Sequence, residues 1–478
     1  MLIKKKIFYN VFVSVLARAT AVIIGLIIIS FTTRYLGQDG FGDFSTILAF
    51  LFVFSVFAEL GLYPILIKKI SESEDSEAKI FNNIFTLRFF SSFFIFVIAS
   101  LAGFLFPYSS EIKMGIIIAG FGQWALINTQ LLMAIFQKYL EMEKVALAEV
   151  LSRLFQLALI ILFIWRDLGF FSIILAFSLC SIANFIILFF YAKKYISFKL
   201  EFDFGFYKTI LKQSYPLAIG GILTMFYFKF DTVLLSLMKS SSDVGIYSLP
   251  YRILEVLIFF PSIFAGLIMP FLSKYALTDK DKFRNVINKS YDALIIIIMP
   301  LIAGTLVLSG KIIPFLGGNE FAESIGVLNI LIFGVAIIFV SNLFYNIIIV
   351  LNKQNSFIWI FAVGAIVNIS LNLIFIPKYS YYATSVNTVI TEFLVAGLML
   401  IVIYKSLKYW ITSASLLKSF FASLIMSVVL YYLHNFSLFL LLPLAVVIYV
   451  FFLYLFRGIS REDIKLFLPS SSNETTSL

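Results

Sequence analysis

Long apolar runs, interrupted by short polar stretches, dominate this 478-residue chain from near its first residues to Leu455. About 20 apolar residues cross the hydrocarbon core of a bilayer as a helix. On that rule the pattern predicts helices near 10–32, 44–67, 84–105, 114–136, 145–165 and 170–191. A second series follows near 214–238, 246–273, 290–309, 325–351, 357–376, 383–404, 416–433 and 438–456. The longest polar gaps are about 20 residues, too short for a soluble domain. The expectation is an all-α integral membrane protein of about 14 transmembrane helices.

Composition closes off the alternatives. Hydrophobic residues make up 61% and charged residues 13% of the chain, with a mean hydropathy of +1.02. A soluble domain carries about 25% charged residues to keep its surface wet, and disordered or fibrous chains are polar or repetitive. The N-terminal MLIKKKIF leads into an apolar run that ends in RYLG without a small-residue cleavage site, so it reads as a retained first span. The lone Cys180 lies inside an apolar run and the lone His434 between two others. Neither belongs to a metal-ligand cluster, and no metal or cofactor is expected. No phosphate-gripping Gly-rich loop occurs, which argues against direct use of ATP.

Charge then sets orientation. Most of the 36 Lys and Arg residues fall in alternate loops, from Lys4–Lys6 through Lys193, Lys194 and Lys199 to Arg457, Arg461 and Lys465. The opposite loops hold only Arg34, Lys113, Arg166, Lys239, Lys311 and Lys378. Basic loops stay cytoplasmic, so both termini are expected inside a multi-pass protein of the plasma (inner) membrane. The net charge of +10 is this bias together with attraction to anionic lipid, and implies no nucleic-acid partner.

A short internal repeat divides the chain. LGQDGFGDFSTI follows helix 1 and KSSSDVGIYSLP follows helix 7; aligning Gly42 with Gly245 also aligns Phe44 with Tyr247 and Ser45 with Ser248. The predicted organisation is an N-terminal six-helix bundle (1–192), a cytoplasmic interfacial linker (193–213) and a C-terminal six-helix bundle (214–404). Helices 13–14 and a cytoplasmic tail (405–478) follow. The two bundles are parallel repeats, between which transporters commonly carry their substrate.

The same loops carry a family resemblance. TRYLGQDGFGDFS resembles the segment after helix 1 in polysaccharide-unit flippases of the multidrug/oligosaccharidyl-lipid/polysaccharide exporter superfamily. PLAIGGILTMFYFKFDTVLLSLMKSSSDVGIYSLPYRILE is similar to that family's helix 7–8 segment, and NISLNLIFIPKYSYYATSVNTVITE to its helix 11–12 segment. The family's usual glycine after the Pro-Lys-Tyr is Ser380 here. The resemblance implies alternating access and outward flipping of a polyprenyl-pyrophosphate-linked oligosaccharide for cell-surface polysaccharide synthesis. The implied partners are that substrate, membrane lipid and other polysaccharide-assembly membrane proteins. A peptidoglycan lipid-precursor flippase is the nearest alternative, and a multidrug or cation antiporter of the same fold a further one. A membrane-embedded sugar-transfer enzyme would need a large extramembrane loop with catalytic carboxylates, and none is present, so the chain does not read as an enzyme.

Charges inside the membrane point to the site without the resemblance. One at the bilayer centre costs at least about 2.5–3.5 kcal/mol, so each needs a reason to be there. The basic ones are Arg18, Arg88, Arg153, Lys229 and Arg252, expected as a cationic path for an anionic head group. Guanidinium stays charged and makes forked bonds to phosphate, whereas a cation exporter wants acidic residues in its path. Asp231, Glu255 and Glu59 are the candidates for coupling a proton or sodium ion. Two plainer readings stand beside these. Glu149, Arg153 and Gln156 share a helix face and can form an internal salt bridge, and Arg252 with Glu255 can be a local ion pair. Small polar residues at helical spacing, such as Asn368 with Asn372 and Thr384 with Thr388, are expected to glue helices together.

Overall fold

The computed structural model describes residues 2–72 and 77–458. The predicted tail beyond residue 458 and the centre of the acidic stretch after residue 72 lie outside the described residues. Every regular element described is helical: α1 (Leu2–Glu59), α2 (Leu62–Glu72), α3 (Glu77–Gly103), α4 (Ser110–Lys138), α5 (Met142–Trp165) and α6 (Phe170–Ala192) come first. Next are α7 (Phe204–Phe228), α8 (Phe230–Met238), α9 (Ser241–Thr278) and α10 (Lys280–Gly317). A 3-10 turn (Asn319–Phe321) leads to α11 (Ser324–Val350), α12 (Ser356–Leu407), α13 (Leu416–Tyr432) and α14 (Leu438–Leu455).

Two of these helices are too long for one crossing. The 58 residues of α1 would reach about 87 Å if straight, nearly three times the hydrocarbon thickness. It breaks instead at Gly37 (φ 64°, ψ −172°), and the 52-residue α12 breaks at Ser380 (φ 49°, ψ −132°). Each therefore holds two arms. Ten helices among the described residues are long and apolar enough to cross a membrane, α1 and α12 among them. With the paired arms, the α7–α8 pair and the shorter α13, the architecture accommodates the 14 or so crossings expected.

Helix 7 departs from its expected outline at both ends. It starts ten residues early, because Asp203 caps it by accepting the Phe206 N–H at 2.9 Å. It is then interrupted at Lys229 (φ −130°), and α8 restarts at Phe230. The predicted linker is correspondingly short and strapped to α3. The Glu201 N–H donates to Thr86 Oγ1 at 3.1 Å, Asn83 donates to the Glu201 carboxylate at 2.8 Å, and the Asp203 N–H donates to Asn83 at 3.1 Å.

The chain divides into two compact units that cut across the two sequence halves. Unit 1 comprises Met1–Leu249, Pro314–Ser324 and Phe357–Asn387; unit 2 comprises Pro250–Ile313, Ile325–Ser356 and Thr388–Leu478. In unit 1 the first arm of α1 packs on α5 and α6 through Ile24, Ile28, Ile160 and Ile173. Its second arm packs on α3 and α4 through Ile47, Leu51, Phe96 and Ile116. A third cluster, centred on Leu66, Phe81, Leu132 and Phe136, gathers α2, α3, α4 and α6. In unit 2 the α13–α14 hairpin packs on α10 through Met426, Leu430, Tyr449 and Leu308. Tyr449 spends its hydroxyl on the Ile296 carbonyl at 2.7 Å, as a buried phenol must.

Candidate functional site

The predicted membrane charges separate into four settings. On α1 and α5, Arg18 Nη1 meets Glu149 Oε2 at 2.8 Å, and the two side chains keep 48% and 23% of their surface exposed. Arg153 lies one turn further along α5, and its guanidinium runs beside Gly25 on α1, 3.9 Å from where a Cβ there would sit. Arg18 and Gly25 are seven residues apart and Glu149 and Arg153 four, so helical spacing puts all of them on facing stripes. Arg153 is half-buried and has no hydrogen bond or ion pair among the described residues. Glu149 thus pairs across helices with Arg18 rather than along α5 with Arg153. Gln156 is buried. Cys180 bonds the Ser152 carbonyl at 3.2 Å, within Coulombic reach of both Arg153 and Glu149.

Arg88 is placed differently. It is wholly buried between α3 and α4, with Nη2 on Gln130 Oε1 at 2.8 Å, while Nε and Nη1 have no partner. The Glu59 charge lies close enough to stabilise it. This guanidinium has no accessible face in the conformation described.

The third setting is the break between α7 and α8. Asp231 is 2% exposed; its carboxylate accepts the Thr232 N–H at 2.6 Å and the Tyr247 hydroxyl at 2.6 Å. An anion at the first turn of α8 also suits the positive end of a helix dipole. Lys229 attracts it electrostatically. The fourth setting lies in unit 2, where Arg252 and Glu255 form an i, i+3 pair at 2.9 Å with both side chains about 30% exposed. The local-pair reading of these two residues describes their geometry.

What sequence reasoning did not anticipate is where the three resemblance segments meet. They converge in unit 1, at its Gly37 end. Gly42 and Gly245 approach backbone to backbone there, flanked by Gln38 and Ser241. Ser242 donates to Gln38 Oε1 at 2.7 Å, Ser241 donates to Asp43, and Gln38 donates to the Glu320 carbonyl. Lys239 donates to the Pro377 carbonyl at 2.8 Å, and Tyr381 donates to Glu323. Arg34, expected only as a loop charge, caps the end of α10 by donating to the carbonyls of Pro314 (3.2 Å) and Phe315 (2.9 Å). Thr33 adds the Leu316 carbonyl at 2.9 Å. The last carbonyls of a helix lack intrahelical partners, and a cationic donor is well suited to take them. The signal in the sequence was the basic residue itself, in a loop otherwise poor in them.

A family described as polysaccharide biosynthesis protein matches residues 7–276, more than half of the chain and the stretch that holds α5, α7 and the Gly42–Gly245 contact. The chain belongs to that family. Among curated relatives, the probable low-salt glycan biosynthesis flippase Agl15 of Haloferax volcanii is 24% identical over 181 residues, 38% of each chain. The probable flippase AglR of the same organism is 23% identical over 178 residues, 36% of this chain and 37% of the relative. The chain therefore matches little more than a third of the length of these relatives. Among solved structures, a lipid II flippase MurJ in an inward closed conformation superposes with a TM-score of 0.76 at 19% identity, covering 95% of this chain and 99% of that one. An inward-facing multidrug resistance MATE transporter of the MOP superfamily follows at 0.67 and 12% identity, covering 81% and 94%. These two likenesses establish the fold of the family member, an all-α one with many membrane-length helices.

Proposed function

We propose that this family member is a flippase that carries a polyprenyl-pyrophosphate-linked oligosaccharide from the cytoplasmic to the outer leaflet of the plasma membrane, for cell-surface polysaccharide synthesis. The observation that carries the reading is the Arg153 guanidinium, which lies in a membrane span with no hydrogen bond or ion pair among the described residues, beside the half-exposed Arg18–Glu149 pair. A charge kept there at a cost of a few kcal/mol is best accounted for by a ligand that repays it. Two guanidiniums flanking one carboxylate suit a diphosphate: Arg153 offers a free fork, and Arg18 can exchange Glu149 for phosphate oxygen. The lipid tail stays in the bilayer throughout; only the head needs this polar route.

The naming of Agl15 as a probable low-salt glycan biosynthesis flippase supports the oligosaccharide reading over the peptidoglycan precursor. The residues themselves answer to the pyrophosphate common to both and do not read the sugar. In this scheme the Gly37 end faces outward and its seam is the closed outer barrier. Asp231, with Glu255 and Glu59 as further candidates, couples a proton or sodium ion to its opening.

The test is flipping by the purified chain in proteoliposomes. Arg153→Ala is expected to abolish transport at normal protein level, and Arg153→Lys to restore part of it, since Lys keeps the charge but loses the fork. Normal transport by Arg153→Ala would remove the main support. For orientation, with Cys180 replaced by Ser, an impermeant thiol reagent applied to intact cells is expected to label Asn319→Cys and not Ser197→Cys.

A further inference from the structure

We propose that one end of unit 2 is a binding site for the phosphate head of an anionic membrane lipid, independent of the transported substrate. Four helix ends meet there: the start of α10, the end of α12, the start of α13 and the end of α14. The loop 408–415 that joins α12 to α13 ties them together. Arg284 of α10 reaches the Leu407 carbonyl at 3.5 Å and stacks 5.0 Å over the Tyr409 ring. Asn288 bonds the Tyr409 hydroxyl and accepts the Thr412 N–H at 3.3 Å. Asp292 accepts from the Ser413 hydroxyl and from the Ser415 N–H, the latter at 3.1 Å. Lys418 donates to the Arg457 carbonyl at 3.0 Å, and Ser415 to that of Gly458 at 3.4 Å. Positive-inside topology requires only that basic residues be present in a loop. It does not require that the loop be laced to two helices beyond those it joins, and this one is tied to α10 and to the end of α14.

The surface so held is basic and amphipathic. No Asp or Glu occurs between Glu392 and Glu462, while Lys405, Lys408, Lys418 and Arg457 fall in that interval. The carboxylates that α10 brings nearby are already engaged. Asp281 pairs with Arg284 at 3.8 Å, and Asp292 is taken by the two serines. Asp279 accepts the N–H groups of Lys282 and Asp281, and these bonds, that from Lys282 foremost, hold its carboxyl below the usual range. Lys405 and Lys408 are exposed, and apolar groups nearby in the chain are exposed with them: Trp410 at 59%, its ring centroid 4.6 Å from that of Tyr404, and Leu417 at 67%. Exposed ammonium groups on the same helix-end segment as an exposed Trp and Leu match a bilayer interface, where a phosphate sits just above the first acyl carbons. A soluble polyanion would complement the lysines and leave Trp410 and Leu417 in water, so a lipid is the occupant that satisfies both.

The experiment uses the full-length chain in phosphatidylcholine bilayers, with spin-labelled phosphatidylglycerol and phosphatidylcholine as probes. The protein is expected to immobilise the anionic probe preferentially, and rising salt to weaken that preference. Each lysine near an anionic surface is worth about fivefold in attraction. The K405Q/K408Q/K418Q variant should therefore lose the preference by at least about threefold, and K405Q/K408Q should lose a smaller part should the triple variant not be stable. The control is K193Q/K194Q/K199Q, three lysines in the linker of unit 1, which should leave the preference intact. Unchanged preference in the Lys405 series, or an equal loss in the control, would overturn the proposal. So would full displacement of the labelled lipid by millimolar inorganic phosphate, which would mark a free-phosphate site instead.

Discussion

Gly42 and Gly245 oppose one another with pseudo-symmetric closeness. A Cβ on Gly42 would fall 1.7 Å from the Ser241 carbonyl oxygen, and one on Gly245 would fall 2.2 Å from the Gln38 carbonyl oxygen. Gln38 precedes Gly42 by the same four residues as Ser241 precedes Gly245. The two copies of the internal repeat therefore pack on each other. A methyl group at either position has no space that a side-chain rotation could create, because the obstacle is backbone. Overpacking of this kind costs about 1–3 kcal/mol or more. Gly42→Ala and Gly245→Ala are each expected to part the seam. With Cys180 replaced, a Gln38→Cys/Ser242→Cys pair should crosslink readily in the parent and poorly in either alanine variant.

Ser380 occupies a backbone conformation (φ 49°, ψ −132°) that an L side chain rarely adopts. Such a residue stores about 1–3 kcal/mol of strain. Glycine relieves it at an entropic cost of about 0.5–1 kcal/mol. Ser380→Gly is expected to raise the melting temperature in detergent by a few degrees, whereas Ser380→Ala, which keeps the Cβ, should not.

Glu149 holds Arg18 at 2.8 Å. Glu149→Gln removes the carboxylate charge that Arg18 faces, next to Arg153. Binding of a polyprenyl pyrophosphate should tighten, by up to about tenfold if one charge-assisted bond of about 1.5 kcal/mol is gained. Turnover should slow, because the carboxylate no longer competes the phosphate away. Equilibrium binding measured alongside flipping rate separates these two effects.

Asp231 is a buried carboxylate at the break between α7 and α8, and ion binding there can favour one arrangement of the break only if affinity differs between states. Asp231→Asn keeps the shape. It is expected to make flipping in proteoliposomes insensitive to an imposed proton or sodium gradient, while downhill flipping persists. Loss of all flipping together with protein level would instead mark the residue as structural.

Much of this protein was legible in its sequence, because a bilayer imposes a simple rule. Backbone polar groups must be satisfied inside each crossing, so apolar runs of the right length are helices whatever surrounds them. The all-α class and the family followed from that rule and from three short segments. Arg18, Glu149 and Arg153 were visible as charges that lipid would not tolerate, and helical spacing already placed Glu149 and Arg153 on one face.

The tertiary structure alone decided which charges meet. Glu149 could reach Arg153 along its own helix, yet it pairs with Arg18, 131 residues away in the chain. Arg88, equally conspicuous in the sequence, is sealed between α3 and α4. Sequence spacing reports the face of a helix, not which neighbour covers that face. The same gap hid the cap of Arg34 on α10, the break at Lys229 and the regrouping into units that cross the two halves. The Gly42–Gly245 match was readable as a repeat, but that the copies touch was not. A repeat in sequence records two similar environments, and only the packing of the chain makes each copy the environment of the other.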